Sequence, residues 1–325
     1  MSTFNPNDEF ILTEGRMNLF PIQYTDIWEL YKQSLASFWV AEEISLSTDV
    51  TDWEKLDENE KHFLLMVLGF FASSDFIVNE NLETNYSETI KIPELKILYN
   101  FQKMIEDVHS NVYHLLIDVL VKDKEMKKKL FESVITIPSI KKKAEWARGW
   151  IQKGNFVERL VAFACVEGIM FSSSFCSIFW IKKQGLMPGL CQSNELISRD
   201  EGMHAFGACL LYKKYIVQKL KNEEVKTIIK SAVDIERDFV NESLPYNLKG
   251  MNKTLMIQYV EFVADYICMM LIDEKIFNVE NPFPWMNLIS VGVKQNFFEL
   301  KSSNYSKTAC ITSSEQTQIT FDEEF

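Results

Sequence analysis

Glycine and proline are scarce in this chain, at 11 and 8 of its 325 residues. Folds built from many tight turns or Gly-rich phosphate loops need more of both, so the shortage argues against them and for long helices. Cysteine is sparse and scattered. The six residues, Cys165, Cys176, Cys191, Cys209, Cys268 and Cys310, include no C-x-x-C pair. That spacing suits neither a zinc ribbon nor a disulfide framework, and it fits a reducing compartment. Positive charge is in deficit: 34 Lys and Arg face 46 Asp and Glu, for a net charge of −12. No general basic surface is therefore expected for nucleic-acid phosphates. The run Lys141-Lys142-Lys143 and the lysine-rich stretch 122–129 read as solvated helix faces. Residues 1–14 carry no apolar core of the signal-peptide kind, and the expected location is cytoplasmic.

Apolar residues, in contrast, are plentiful at 47%, and they recur at helical spacing. One helix is expected from about residue 22 to 45, carrying Trp28, Tyr31, Leu35, Phe38 and Trp39. Others are expected after the acidic start Asp57-Glu58-Asn59-Glu60, over 94–121, and beyond Pro138 with Trp146 and Trp150. Four more follow, near 156–183, 193–220, 223–244 and 253–272. Alternating strand patterns are missing, so the fold class is all-α. The chain divides into an irregular arm (1–20), a helical domain (21–300) and a Ser/Thr-rich acidic tail (301–325) that is flexible by composition. Residues 160–181 are long enough to cross a bilayer. Their four serines and the lone charge of Glu167 favour the buried central helix of a large bundle instead.

Glu167 then needs a reason to be there. Of the four histidines, two follow a glutamate by three residues, as Glu106-x-x-His109 and Glu201-x-x-His204. Residues three apart share a helix face, so each pair can aim a carboxylate and an imidazole at one centre. Two-metal carboxylate bundles of the ferritin-like kind take such a pair from each of two helices and a further carboxylate from each of the other two. Glu167 and Asp75, each enclosed by apolar neighbours, are the candidates for those two. Four carboxylates neutralise two divalent cations, and oxygen ligands with one imidazole per metal suit iron or manganese. The competing reading of Glu167 is a structural acid paired with Arg or Lys. His62 and His114 lack partner spacing and read as ordinary helix residues.

Tyr113 lies four residues beyond His109, one turn along the same face. Phe171, Phe175 and Ile197 fall at four-residue steps from Glu167 and Glu201 and are candidates to wall the phenol from water. Two readings of Tyr113 stand at this point: a core tyrosine, or one oxidised by an adjacent metal pair and kept as a radical.

Several runs go beyond the ligand spacing: Phe38-Trp39-x-Ala41-Glu42-Glu43-Ile44, Asn79-Glu80-Asn81-Leu82, Val166-Glu167-Gly168 and Lys183-x-Gly185-Leu186-Met187-Pro188-Gly189-Leu190. Ser193-Asn194-Glu195-Leu196-Ile197-Ser198-Arg199-Asp200-Glu201-Gly202 and Val279-Glu280-Asn281-Pro282-Phe283 join them. In these runs the chain resembles the small, radical-bearing subunit of aerobic ribonucleotide reductase, of the eukaryotic and viral kind. The resemblance implies a di-iron centre on Asp75, Glu106, His109, Glu167, Glu201 and His204, with a stable radical on Tyr113. It further implies an electron path through His109, Asp200 and Trp39, with Tyr305 as relay to the partner. The last residues, Phe321, Asp322, Glu323, Glu324 and Phe325, resemble the peptide that docks on the large subunit, and such subunits are homodimers. Met170 and the acidic Phe-Asp-Glu-Glu-Phe ending depart from common family patterns. The rival readings are a soluble di-iron oxygenase or desaturase, an iron-storage or ferroxidase protein, and a catalytically silent partner subunit, against which all six ligand positions are filled.

Overall fold

The computed structural model describes residues 4–248 and 250–286. Tyr305, Cys310 and the docking residues Phe321, Asp322, Glu323, Glu324 and Phe325 lie outside them. The chain forms two units, Met1–Pro282 and Phe283–Phe325. Of the second, the described part is a single turn closed by Met286 N–H on the Phe283 carbonyl at 2.9 Å.

The first unit is helical, and no sheet forms among the described residues; one isolated bridge joins Leu248 and Met251. Its principal helices are α1 (Thr25–Ala36), α2 (Glu58–Asn81), α3 (Pro93–Leu120), α4 (Pro138–Lys153), α5 (Phe156–Cys165), α6 (Ser172–Lys183), α7 (Pro188–Leu210), α8 (Asn222–Ser243) and α9 (Lys253–Ile272). Local chemistry starts them where the sequence places the signals. Asp57 caps α2 and Asn155 caps α5, each with a glutamate three residues on returning the bond. Proline stands in the first turn of α3, α4 and α7, where its missing N–H costs nothing. The arm contains two short turns, Pro6–Asp8 and Phe10–Thr13.

Helix α2 packs on α3, while α7 packs on α5, α6 and α3. These elements enclose the core, with α8 and α9 behind them. Three stretches are long and apolar enough to cross a membrane, among them Phe156–Lys183, but 89% of that window is buried inside the protein. This is the central helix of the bundle.

Four expectations need correction. The helix expected over 22–45 stops at Ala36. The chain then turns so that the Trp39 indole reaches Asp200 at 2.8 Å, a tertiary bond that continued helix would forbid. The helix expected over 156–183 is interrupted by a π turn, Val166–Met170. The one expected over 193–220 starts at Pro188 and passes into a π turn at Leu211–Tyr215. Finally, Lys143 is not solvated: it is 2% exposed.

Candidate metal centre

Helix α3 carries Glu106, His109 and Tyr113 on one buried stripe, and α7 carries Asp200, Glu201 and His204 on another. Asp75 comes from α2 and Glu167 from the π turn between α5 and α6. A π turn widens the helix by one residue and is often found at functional sites. The six expected ligands converge. Ligand atoms of Glu106, Glu167, Glu201 and His204 all lie within 4.8 Å of one another, as do those of Asp75, Glu106 and His109.

The arrangement is that of two adjoining sites. Glu201 puts Oε1 3.0 Å from His109 Nδ1 and Oε2 2.9 Å from His204 Nδ1. Glu106 does the same in reverse, with Oε1 3.0 Å from His204 Nδ1 and Oε2 3.4 Å from His109 Nδ1. Each of these two carboxylates therefore faces both imidazoles. Asp75 and Glu167 stand at the flanks.

Whether cations fit is tested by what the carboxylates lack. Asp75 Oδ2 and Glu167 Oε2 are buried with neither a hydrogen bond nor an ion pair among the described residues, and the Glu106 oxygens meet only the two imidazoles. Such atoms are expensive to strand unless something else binds them. Glu167 accepts from Gln102 Nε2 at 3.1 Å and Asp75 from Ser74 Oγ at 3.0 Å. Among the described residues no lysine or arginine forms an ion pair with Glu167, so the structural-acid reading loses its partner. The donor set of hard oxygens and two imidazoles fits a pair of divalent metals.

Electrostatics tell the same story. Burial pushes the Asp75 carboxyl well above the usual range, and the charge of Glu106 adds to it. Glu167 is raised by burial, then by Glu201 and Glu106. Burial also works on His204 and Glu201, but there the ion pair wins: the imidazole rises to about 10 under Glu201 and Glu106, and Glu201 falls below the carboxylate range under His204 and His109. Burial opposes protonation of His109 too, yet Asp200, Glu106 and Glu201 raise it. Protons thus stand where cations would neutralise the same charges.

Tyr113 is 1% exposed, and its hydroxyl has no hydrogen-bond partner. Burial pushes the phenol well above its ordinary value, with Asp75 adding to the effect. Its ring stacks on Phe71 at 4.4 Å and 8°. Phe71 in turn meets Phe171 at 5.8 Å and Phe175 at 5.2 Å, and Ile197 is fully buried on α7. The sequence reading missed Phe71, which lies on α2, four residues before Asp75.

A second chain leaves the centre in the other direction. His109 Nε2 lies 3.1 Å from Asp200 Oδ2, which also accepts from Trp39 Nε1. The Trp39 and His109 rings stack with centroids 5.9 Å apart. Arg199 fixes the other oxygen, Asp200 Oδ1, at 3.0 and 3.2 Å and donates to the Ser37 carbonyl at 2.7 Å. Arg199 and Gln102 were also missed; their adjacency to Asp200 and to Glu106 (four residues apart) was the available signal.

Fold and site together define a helical-bundle protein with a di-metal carboxylate centre. A family model for the ribonucleotide reductase small chain matches residues 16–282. The chain is 55% identical over 315 residues to the ribonucleoside-diphosphate reductase small subunit of Dictyostelium discoideum, covering 95% of this chain and 93% of that one. It is 50% identical over 322 residues to subunit M2 of Homo sapiens, covering 98% and 82%. The Rnr4 homodimer structure from Saccharomyces cerevisiae superposes with a TM-score of 0.80 at 35% identity, covering 92% and 93%. The R2 subunit from Clostridium botulinum, at 22% identity and a TM-score of 0.76, shows the shared fold alone. The chain belongs to the ribonucleotide reductase small-chain family, as the small subunit of a class I enzyme, and this sets aside the oxygenase, desaturase and ferroxidase readings.

Proposed function

We propose that this subunit binds two iron ions between Asp75, Glu106, His109, Glu167, Glu201 and His204, and generates and stores a tyrosyl radical on Tyr113. Manganese would accept the same donors. When bound, the metal pair supplies the oxidising power, drawn from O2, that removes one electron from Tyr113. The observation that carries this reading is the buried, unbonded Tyr113 hydroxyl one turn from His109. An apolar wall of Phe71, Phe171, Phe175 and Ile197 keeps water from the phenol. Glu106 and Glu201, which each face both imidazoles, would hold the pair together with His109 and His204, and Asp75 and Glu167 would complete the donor set.

Trp39, Asp200 and His109 serve as the route for electrons and protons between the centre and the surface. Asp200 holds the indole N–H and the imidazole on one oxygen, so an electron and a proton can move along the same line. Arg199 and the His109 imidazole hold Asp200 ionised against its burial. In the family's manner, Tyr305 continues this route and Phe321, Asp322, Glu323, Glu324 and Phe325 dock on the large subunit, where ribonucleoside diphosphates are reduced. A short segment with apolar anchors and acids between them suits such docking.

The subunit is a homodimer in this reading. Phe76 on α2 and Met104 and Leu115 on α3 are exposed apolar side chains, and His114 meets Phe76 edge-on and stacks on Phe131. The five cysteines among the described residues are buried and free, which suits the reducing cytoplasm.

Low-temperature EPR after adding Fe(II) and O2 to the metal-free protein tests the centre. A tyrosyl signal is expected, and it should vanish in Tyr113→Phe while two irons remain bound per chain. Two bound irons with no signal in the unmodified protein would overturn the radical assignment. A synthetic peptide of residues 319–325 should inhibit reductase activity, and indifference to it would remove the tail-docking role.

A further inference from the structure

A second buried charge cluster lies beside the π turn, and the reductase reading does not use it. Lys143 of α4 places Nζ 2.6 Å from Glu236 Oε2 of α8, with the two side chains 2% and 0% exposed. The same Nζ donates to the Met170 carbonyl at 2.8 Å. It lies 3.6 Å from the centre of the Phe70 ring and 3.8 Å from that of Phe239. Glu236 accepts from Ser173 Oγ with its other oxygen. One ammonium group therefore joins α4, α8, α2 and the end of the turn that carries Glu167.

Stability does not account for this pair. Removing two charges from water costs about as much as their attraction returns, and apolar residues of similar volume usually serve as well or better. Burial pulls Lys143 down to about 8 even with Glu236 in contact, a mark of that cost. What an apolar pair cannot supply is a donor to a backbone carbonyl. At the end of the turn Val166–Met170, where the helical register changes, two carbonyls accept from side chains. Ser172 Oγ donates to Ile169 and Lys143 to Met170. Beside the turn lies a small cleft of about 20 Å³, lined by Ser73, Ser74, Ile77, Lys143, Val166 and Met170 among others. Phe70, under the same ammonium, packs on Phe171 at 5.3 Å and on Phe71 at 5.7 Å, and Phe71 is the ring that stacks on Tyr113.

We propose that Lys143 and Glu236 form a buried positioning pair: Nζ pins the Met170 end of the π turn, and so the placement of Glu167, while Glu236 holds Nζ in place. Its functional meaning rests on Glu167 being a metal ligand, as proposed above. The pair touches neither metal nor substrate.

The test uses the full chain without metal. In the double variant Lys143→Met/Glu236→Leu, backbone amides of residues 166–171 should exchange with deuterium at least about tenfold faster, while the melting temperature stays equal or rises. Loaded with Fe(II), the same variant should bind about tenfold more weakly and lose its tyrosyl EPR signal several-fold faster. Exchange within twofold of the unmodified protein at an unchanged melting temperature would overturn the proposal. Should the double variant not fold, Lys143→Met/Glu236→Gln decides. It removes both charges together and keeps a polar partner for Ser173, so exchange of 166–171 should again rise about tenfold; exchange within twofold of the unmodified protein would overturn the proposal. Exchange is read without metal, so failure of the unmodified protein to bind iron would sink the metal reading and leave this one intact.

Discussion

Two regions of this molecule bury charge, and they do so in opposite ways. The pair Lys143–Glu236 is closed: one cation meets one anion, and the remaining donors and acceptors reach Met170 and Ser173. The cluster around Glu106 is open. Four carboxylates face two imidazoles, and Asp75 and Glu167 each keep a buried oxygen with neither a hydrogen bond nor an ion pair among the described residues. A closed pair tolerates no removal of a member, because the survivor is stranded. An open cluster gains by losing charge until a cation arrives. A buried acid is therefore informative by its unmet bonds more than by its depth.

The largest expected effect is on the open side. Glu106→Ala removes the one residue shared by both ligand groups, and Fe(II) affinity should fall about a hundredfold or more, since loss of a mere outer-shell partner already costs 10–100-fold. Metal analysis after desalting measures it; two irons retained per chain would remove Glu106 as a shared ligand.

The next effects differ in sign between the regions. Lys143→Met strands Glu236 and should destabilise the metal-free protein by about 3–5 kcal/mol. Glu167→Gln removes a buried charge and should leave the metal-free protein as stable, or about 1 kcal/mol more so. Urea unfolding of both variants compares them, and equal losses would erase the contrast.

The pH dependence is a smaller effect. His204 is held at about 10 against an ordinary 6.5. The native state binds the extra proton, so this contribution to stability is fully present below about 6.5 and is lost as pH climbs through 10. Lys143, lowered to about 8, pulls the other way between 8 and its ordinary 10.5, so the window to read is 6.5 to 8. Metal-free protein should lose stability across that window, and His204→Gln should flatten the slope. A slope unchanged in the variant would place the effect elsewhere.

The smallest effect concerns the wall of Tyr113. Phe71→Leu should shorten the lifetime of the tyrosyl signal by about threefold and cost on the order of 1 kcal/mol in stability, with iron content unchanged. A full lifetime would show that Phe71 is packing alone.

Much of the candidate site was legible because its signals are local. A three-residue spacing fixes two side chains on one face without knowledge of the rest, and a lone acid in an apolar run, such as Glu167, stands out from composition. What was not legible is set by tertiary contact. Lys143 sits in a lysine run that reads as solvent-facing, yet three successive helical residues point about 100° apart, and one of them can face inward. Ile140, Ala144, Ala147 and Ile151 mark that inward face, so its neighbour Lys143 was the suspect. Phe71 escaped because the search for a wall followed the four-residue steps from Glu167 and Glu201, not the helix opposite. The stop of α1 at Ala36 depends on a bond from Trp39 to a residue 161 positions away. The π turns leave no trace in hydrophobic spacing, since apolar residues surround them on both sides.

The turn at Val166–Met170 has a consequence for how this chain can change over time. It works as a single extra count in the helical phase, so the segments before and after it face their neighbours in different frames. Deleting one residue there would rotate Phe175 and everything after it on α6 by about 100° relative to Glu167, whereas the link between α8 and α9 can change length without disturbing either frame. Insertions and deletions should therefore be filtered far more strictly across five residues at the centre of the bundle than across the surface connections.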